Sequence, residues 1–408
     1  MDRAQLTLLN RKEKDGFLHL EARLHGGGGK PLSLRHRIPL SLKDQVTDWA
    51  DPFVIGMIFP AMQIGKPVLV EGPVSPSLLF NLEEFMTMWA VWKPDRYRAV
   101  DITAEVEKEP PGQPEKGLAV MAFSGGIDSC FTAWRHRKGL AGRRTRNLLS
   151  AVFVHGFDVP LSRKTTYDNL EKRNRLLLSS IGMDLIPLRT NYREMLVGWG
   201  DSYAAALLSA LALFQKKFDT ALLGSSKPYS VMDPNAVWGS NPTSDPLLSS
   251  DSFRVLYDGG QFSRLEKLAV VARWPEALRF VHVCWENNRT EVNCCRCEKC
   301  IRTILSLRLL GLDQPPCFPE TLGEEDIRSL KPHGEAAHRT LASLIREAEK
   351  RGLSGETWVQ VLKEMTGRKS WTRRFEHSAR KTFFQREFPG NLLRSILYRI
   401  RSVRKQGN

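Results

Sequence analysis

The sequence has no unbroken apolar run approaching the ~20 residues that a membrane-spanning helix needs. Its best candidate, Phe53–Met62, is short and carries Pro60. It also has no basic start followed by the apolar core of a secretory leader. The expectation is a cytoplasmic protein that does not span a membrane. Cysteines are scarce over most of the 408 residues: there are seven, and five of them lie between Cys284 and Cys300. That crowding excludes a disulfide framework and fits metal ligands in a reducing compartment. A Walker A loop is missing too. Gly26–Gly29 followed by Lys30 imitates one, but Leu24 stands where the first glycine belongs and Pro31 where Ser or Thr belongs, so a hairpin loop is expected there. An even spread of positive charge is the last absence. The net charge is +15, yet from Arg368 onward twelve lysines and arginines face only Glu376 and Glu387. Any argument for a polyanionic partner therefore concerns the tail and not the chain as a whole.

Among the features present, Leu118–Ser129, LAVMAFSGGIDS, organises the rest. An apolar run bounded by glycines reads as the buried central strand of a parallel sheet. Ser124-Gly125-Gly126 then turns the chain into a helix beginning near Asp128. Backbone N–H groups of such a turn, the hydroxyls of Ser124 and Ser129 and the positive end of the helix together make a cradle for phosphate. Asp128 would either place a metal ion or cap its helix.

A β-α-β-α alternation follows. Asn147–His155, Asp184–Leu188 and Thr220–Leu223 read as strands, with helices over Lys164–Ile181 and Asp201–Phe218. In doubly wound sheets ligands gather at the carboxyl ends of strands. This places Gly156 and Asp158 near a nucleotide, with a helix cap as the other reading of Asp158. The turn Gly224-Ser225-Ser226-Lys227 is a second anion-friendly step. Tyr229–Asp251 reads as a long lid or substrate loop. In Ser263–Lys267 a basic residue would reach phosphates or, the favoured reading, the charges form a solvated helix face.

Phe280–Trp285 reads as a further strand carrying Cys284, followed by Cys294, Cys297 and Cys300 in the spacing C-x9-C-x2-C-x2-C. Four thiolates from short turns suit tetrahedral Zn2+, and a closed four-sulfur site is structural. Cys295 is an additional thiol. An iron–sulfur cluster or a redox pair is the other reading of the group. Arg302, beside this site, would face the nucleotide or substrate.

Ahead of these elements, residues 1–110 read as an α+β accessory domain, with a helix over Leu79–Trp92 and a proline-rich linker at Glu107–Glu115. Beyond Gly311, residues 316–366 read as short helices. In 367–408, Leu392, Leu393, Ile396, Leu397, Ile400 and Val403 form the apolar stripe of a basic amphipathic helix. Such a helix suits an anionic membrane surface, nucleic acid, a partner protein or a second copy of the chain.

SGGIDS in its strand–helix setting resembles the PP-loop of the N-type ATP pyrophosphatases. The cysteine spacing behind it makes residues 117–311 similar to the 7-cyano-7-deazaguanine synthase branch. The resemblance implies an adenine nucleotide alpha hydrolase-like fold: a doubly wound, mostly parallel α/β sheet. It implies ATP and Mg2+ at Ser124–Ser129, Gly156, Asp158 and Gly224, with Ser124, Asp128 and Ser129 in the catalytic role and Zn2+ on Cys284, Cys294, Cys297 and Cys300. The implied activity is ligase-like: a carboxylate or amide oxygen is adenylated, with loss of pyrophosphate, for attack by ammonia or an amine. The chain departs from that branch in its extra N-terminal region, its basic tail, Cys295 at a place where glycine is usual, and a 227–251 loop without the base-recognition pattern. Rival expectations are a PP-loop sulfur transferase acting on tRNA or a carrier through Cys295 or Cys297, and an ATP-binding protein without turnover.

Overall fold

The computed structural model describes residues 3–26, 28–111, 117–232, 237–286, 292–330 and 334–367. The expected basic amphipathic tail lies outside them, as does part of the expected linker.

The amino-terminal third begins as a meander of β1 (Ala4–Lys14), β2 (Phe17–His25) and β3 (Leu32–Pro39), followed by α1 (Asp51–Ile64), β4 (Val68–Val74), α2 (Pro76–Trp92) and β5 (Ile102–Glu107). Then come β6 (Leu118–Ala122), α3 (Ile127–Arg137), β7 (Asn147–His155), α4 (Lys164–Ser179), β8 (Asp184–Thr190), α5 (Trp199–Ala212), β9 (Thr220–Gly224) and β10 (Arg254–Asp258). All ten strands join one sheet in the order β10-β9-β6-β7-β8-β3-β2-β1-β4-β5. From β10 to β8 every pairing is parallel. β8–β3, β3–β2 and β2–β1 are antiparallel, and β1–β4–β5 is parallel again. The molecule is an α/β protein whose mostly parallel sheet is flanked by helices, compatible with a doubly wound fold.

The expected accessory domain is thus an extension of the same sheet, and residues 1–320 form one compact unit. The joint is β3 against β8, where Arg37 faces Arg189 and His36 faces Thr190. Sequence periodicity identifies strands, but which strand pairs with which is a tertiary decision. The hydrophobic core runs across the joint. Leu118 and Val120 of β6 belong to it, as do Leu34 and Ile38 of β3 and Phe59, Trp89 and Leu208 of α1, α2 and α5. Ala119 and Met121, one residue out of step, face the other side, so β6 is buried on both faces. Pro60 lies inside α1 without ending it.

After β10 come α6 (Arg264–Val271), α7 (Pro275–Phe280) and α8 (Glu298–Arg308). The strand expected over Phe280–Trp285 is not formed. Residues 281–286 are an irregular segment outside the sheet, whose polar groups are satisfied elsewhere. A second unit from Thr321 onward contains α9 (Glu324–Arg328), α10 (Gly334–Lys350) and a helix over 357–367, tied by an Arg328–Glu364 ion pair of 2.6 Å. Among the described residues no helix is long and apolar enough to cross a membrane.

Candidate functional site

Strand order reverses at β6: β7 and β8 lie to one side of it, β9 and β10 to the other. Loops leaving β6 and β9 therefore diverge at their carboxyl ends, the usual ligand position in such sheets. Ser124–Gly126 leaves β6 there and leads into α3. Gly125 has φ +77°, and a Cβ on it would stand 2.4 Å from the Asn174 side-chain oxygen, so only glycine fits. Ser124 and Ser129 brace the loop from within. The Ser129 hydroxyl accepts from the Ser124 N–H at 3.3 Å and donates to the Gly126 carbonyl at 3.0 Å, and the Gly126 N–H donates to the Ser124 hydroxyl at 3.3 Å.

Asp128 makes no cap bond to its helix. Its two carboxylate oxygens each take a cation: Arg264 at 3.1 Å and Lys267 at 3.1 Å. Lys267 is almost wholly buried and also donates to the Ser225 hydroxyl at 2.7 Å and to the Ser225 carbonyl. The basic face of Ser263–Lys267, expected in solvent, is thus turned inward at Lys267. A Ser263–Glu266 capping box fixes where α6 begins and hence which way Lys267 points. Arg302 of α8 is near enough for the Arg264 charge to help lower its pKa, after burial, the larger cause. Arg302 is itself paired with Glu298 at 3.4 Å, so three cations stand against two carboxylates and leave this corner positive beside the Ser124–Ser129 loop.

Gly224 ends β9 against the start of α3, next to the Asp128 carbonyl and the Thr132 hydroxyl. Ser225 behind it is fully buried, its N–H donating to the Asp258 carbonyl at 2.8 Å. Gly156 has a structural reason of its own. A Cβ there would stand 1.9 Å from the Thr190 carbonyl oxygen, so the ends of β7 and β8 approach closely only with glycine. Asp158 is exposed, and α4 has Arg163 at its N-cap, so Asp158 does not cap that helix.

The irregular segment 281–286 connects this loop to the cysteines. The His282 N–H donates to the Gly125 carbonyl at 2.9 Å, two residues before Cys284. Asn293, which sequence reasoning passed over, holds the segment in place. Its side-chain oxygen accepts from the N–H groups of Val283 (2.8 Å) and Cys284 (3.2 Å), and its amide donates to the carbonyls of Val281 and Cys317, both at 2.9 Å. One buried side chain thereby supplies what a neighbouring strand would have supplied.

The sulfurs of Cys284, Cys294, Cys297 and Cys300 all lie within 4.8 Å of one another. Cys294–Cys300 and Cys297–Cys284 are each 3.9 Å apart. A tetrahedron with metal–sulfur bonds of about 2.3 Å puts its sulfurs about 3.8 Å apart, so the four thiols fit such an ion. Cys297 is the N-cap of α8, where the helix dipole favours thiolate, and Cys300 lies in its first turn, its thiol pushed up by hydrogen bonds with Cys284 and Cys297. The Cys297 N–H donates to the Cys294 sulfur at 3.2 Å. Hydrogen bonds from the Cys284 and Cys300 thiols hold Cys297 far below the usual thiol range, and the bond to Cys297 pushes Cys284 up to about 11. Cys295 stands apart: it is fully buried, its thiol points at the Asn293 carbonyl at 3.5 Å, and burial raises its pKa. Its φ of +58° is a conformation in which glycine is ordinarily found.

Comparison with protein-family models, with curated proteins and with solved structures finds no match to this chain.

Proposed function

We propose that the protein is an ATP-dependent adenylating enzyme of the PP-loop class, 7-cyano-7-deazaguanine synthase-like, releasing AMP and pyrophosphate. The observation that carries this reading is the Ser124–Ser129 loop at the strand-order reversal, with buried Lys267 and half-buried Arg264 beside it. A glycine turn that only linked a strand to a helix would have no need of a desolvated lysine. In this reading phosphate displaces the bonds inside the loop, and its N–H groups and the Ser124 and Ser129 hydroxyls turn to hold the β- and γ-phosphates. Arg264, the more exposed cation, takes up the charge that develops on departing pyrophosphate, while Lys267, its donors spent on Asp128 and Ser225, fixes Asp128 and adds buried positive charge behind it. Mg2+, when bound, would neutralise further phosphate charge. A substrate carboxylate or amide oxygen attacks the α-phosphorus, and the bond to the β-phosphate oxygen breaks. Ammonia or an amine then attacks the activated carbon and AMP leaves with the bonding pair. Positioning and electrostatics supply most of the rate.

The four cysteines hold Zn2+ in a structural role: a four-thiolate shell leaves no position open to substrate. Through His282 the ion would stiffen the loop at Gly125. The burial of Cys295 speaks against its use as a sulfur carrier, which needs an exposed thiolate.

The test is metal analysis of the purified protein, followed by product analysis after incubation with ATP, Mg2+, ammonia and a panel of carboxylates. One zinc per chain with AMP and pyrophosphate supports the reading. ADP and phosphate, or ATP binding without turnover, overturns it.

A further inference from the structure

The antiparallel strands β1–β3 bury one face in the core and leave the other open. Burial alternates residue by residue along β2 and β3. On the open face, cross-strand register puts Lys12 opposite His19, His19 opposite Arg37 and Arg37 opposite Arg189 of β8. Lys14, Arg23 and Arg35 occupy the same face. Lys12, Lys14 and Arg35 are exposed, and Arg23, Arg37 and Arg189 half-buried. Three acids meet these cations: Glu21, on the same face and opposite Arg35, lies 3.6 Å from Arg23, Glu194 lies 4.0 Å from Arg35 and Asp168 3.9 Å from Arg189. At the centre, Arg37 lies 3.7 Å over the Phe17 ring, and among the described residues no carboxylate stands within ion-pair distance of it. Its Nε is shielded from water and lacks a hydrogen-bond partner.

Like charges directly opposite one another on neighbouring strands are destabilising. Arg37 facing Arg189 is such a pair; Asp168 reaches only Arg189, Asp15 acts on Arg37 from beyond ion-pair distance, and both guanidinium groups lie over the Phe17 ring. An anion arriving from outside would relieve it. The spread of the cations indicates what kind of anion. Alternate residues on one strand are about 6.8 Å apart and neighbouring strands about 4.8 Å apart. The group is therefore a field of separate positive points on a flat surface, suited to a chain of phosphates and not to a single small anion. Guanidinium forks match phosphate oxygens in pairs.

We infer that the open face of β1–β3, with Arg35, Arg37 and Arg189 at its centre, binds the phosphodiester backbone of a nucleic acid strand. The inference is independent of the ATP chemistry. It places a polyanion surface outside the basic tail.

The test uses the full chain, tail included, and a fluorescein-labelled single-stranded RNA of mixed sequence, with anisotropy titrations over a series of salt concentrations. Each phosphate contact contributes about 0.7 to the slope of log K against log salt for a single strand. The combined variant Arg35→Gln, Arg37→Gln, Arg189→Gln is expected to lower that slope by about 2. A control with the same charge change elsewhere, Arg143→Gln, Lys216→Gln, Arg273→Gln, is expected to leave it unchanged. If the combined variant does not fold, Arg37→Gln alone reads the same quantity, with a drop of about 0.7. An unchanged slope, or an equal loss in the control, overturns the inference. So does a face variant that keeps RNA binding but loses binding to phosphatidylglycerol vesicles, which would assign the face to a membrane surface.

Discussion

The two halves of the ten-stranded sheet use charge in opposite ways. In the parallel half, β6 to β10, both faces are covered and charges are drawn inside in satisfied groups. Lys267 and Arg264 share Asp128; Arg135, Thr132 and His136 surround Asp258. In the antiparallel half, β1 to β3, one face is wet, and arginines lie in a row on it with few counter-charges. A parallel sheet needs crossover helices on its faces, so function is left to the strand ends. An antiparallel meander needs only hairpins, so an entire face stays available. The difference teaches that a ligand site at strand ends has to be built from buried, paired charges, whereas a site on an open face can be built by pattern alone.

Substitutions sharpen that contrast. The largest effect is expected at the cysteine cluster. Cys300→Ser should bring bound zinc from about one per chain to near zero, and Asn293→Ala, which strands four buried backbone groups, should cost more than about 3 kcal/mol and lose metal as well. Metal analysis beside thermal melting reads both; an Asn293→Ala protein with full metal and an unchanged melting point would contradict the stapling role. Next is Lys267→Met, where pyrophosphate release should fall by about 100-fold or more, against roughly 10-fold for half-exposed Arg264→Gln. Equal effects from the two would show that burial does not set their weight. Gly156→Ala, which drives a methyl into the Thr190 carbonyl, should destabilise by about 2–4 kcal/mol, measured by urea unfolding.

A smaller, pH-dependent effect belongs to the core face of the antiparallel half. Fully buried His36, 3.2 Å from the Ser209 hydroxyl, has its pKa lowered by burial to about 3. The fold holds it neutral while the unfolded chain protonates it near pH 6.5. Its contribution is therefore intact above pH 6.5 and is lost as pH falls toward about 3. Between pH 6.5 and 5 the loss is about 2 kcal/mol, and His36→Gln should flatten that part of the stability curve. The smallest effect is expected on the open face. Arg37→Gln should change stability by no more than about 0.5 kcal/mol, or raise it, because a like-charge pair is relieved. A large loss there would mean that the arginines serve the fold and not a ligand.

Much of the parallel half was legible in the chain. A buried strand followed by Ser-Gly-Gly locates the loop because no other residue adopts φ +77° against Asn174 without strain. Close cysteine spacing likewise predicted a group that the fold assembles. Local chemistry also explains Cys295, which occupies a glycine-like conformation. The misreadings came from long-range pairing. Residues 281–286 look like a strand because they are apolar and alternate, but they have no neighbour in the sheet, and Asn293 satisfies them instead. Lys267 looks solvated on its own helix and becomes buried only when α6 packs beside α3. Strand β3 and its pairing with β8 leave no mark in composition.

By itself, then, the sequence determined the Ser-Gly-Gly loop, the four-thiol group and the strand–helix alternation, because turn geometry, ligand spacing and hydrophobic period act over a few residues. Only the tertiary structure decided that the first hundred residues extend the same sheet, that Lys267 and Arg264 converge on Asp128, that His282 joins the cysteines to the loop, and that Arg37 meets Arg189. Those placements depend on contacts between segments far apart in the chain, where burial and hydrogen-bond satisfaction over the whole unit choose the partner and local preference does not.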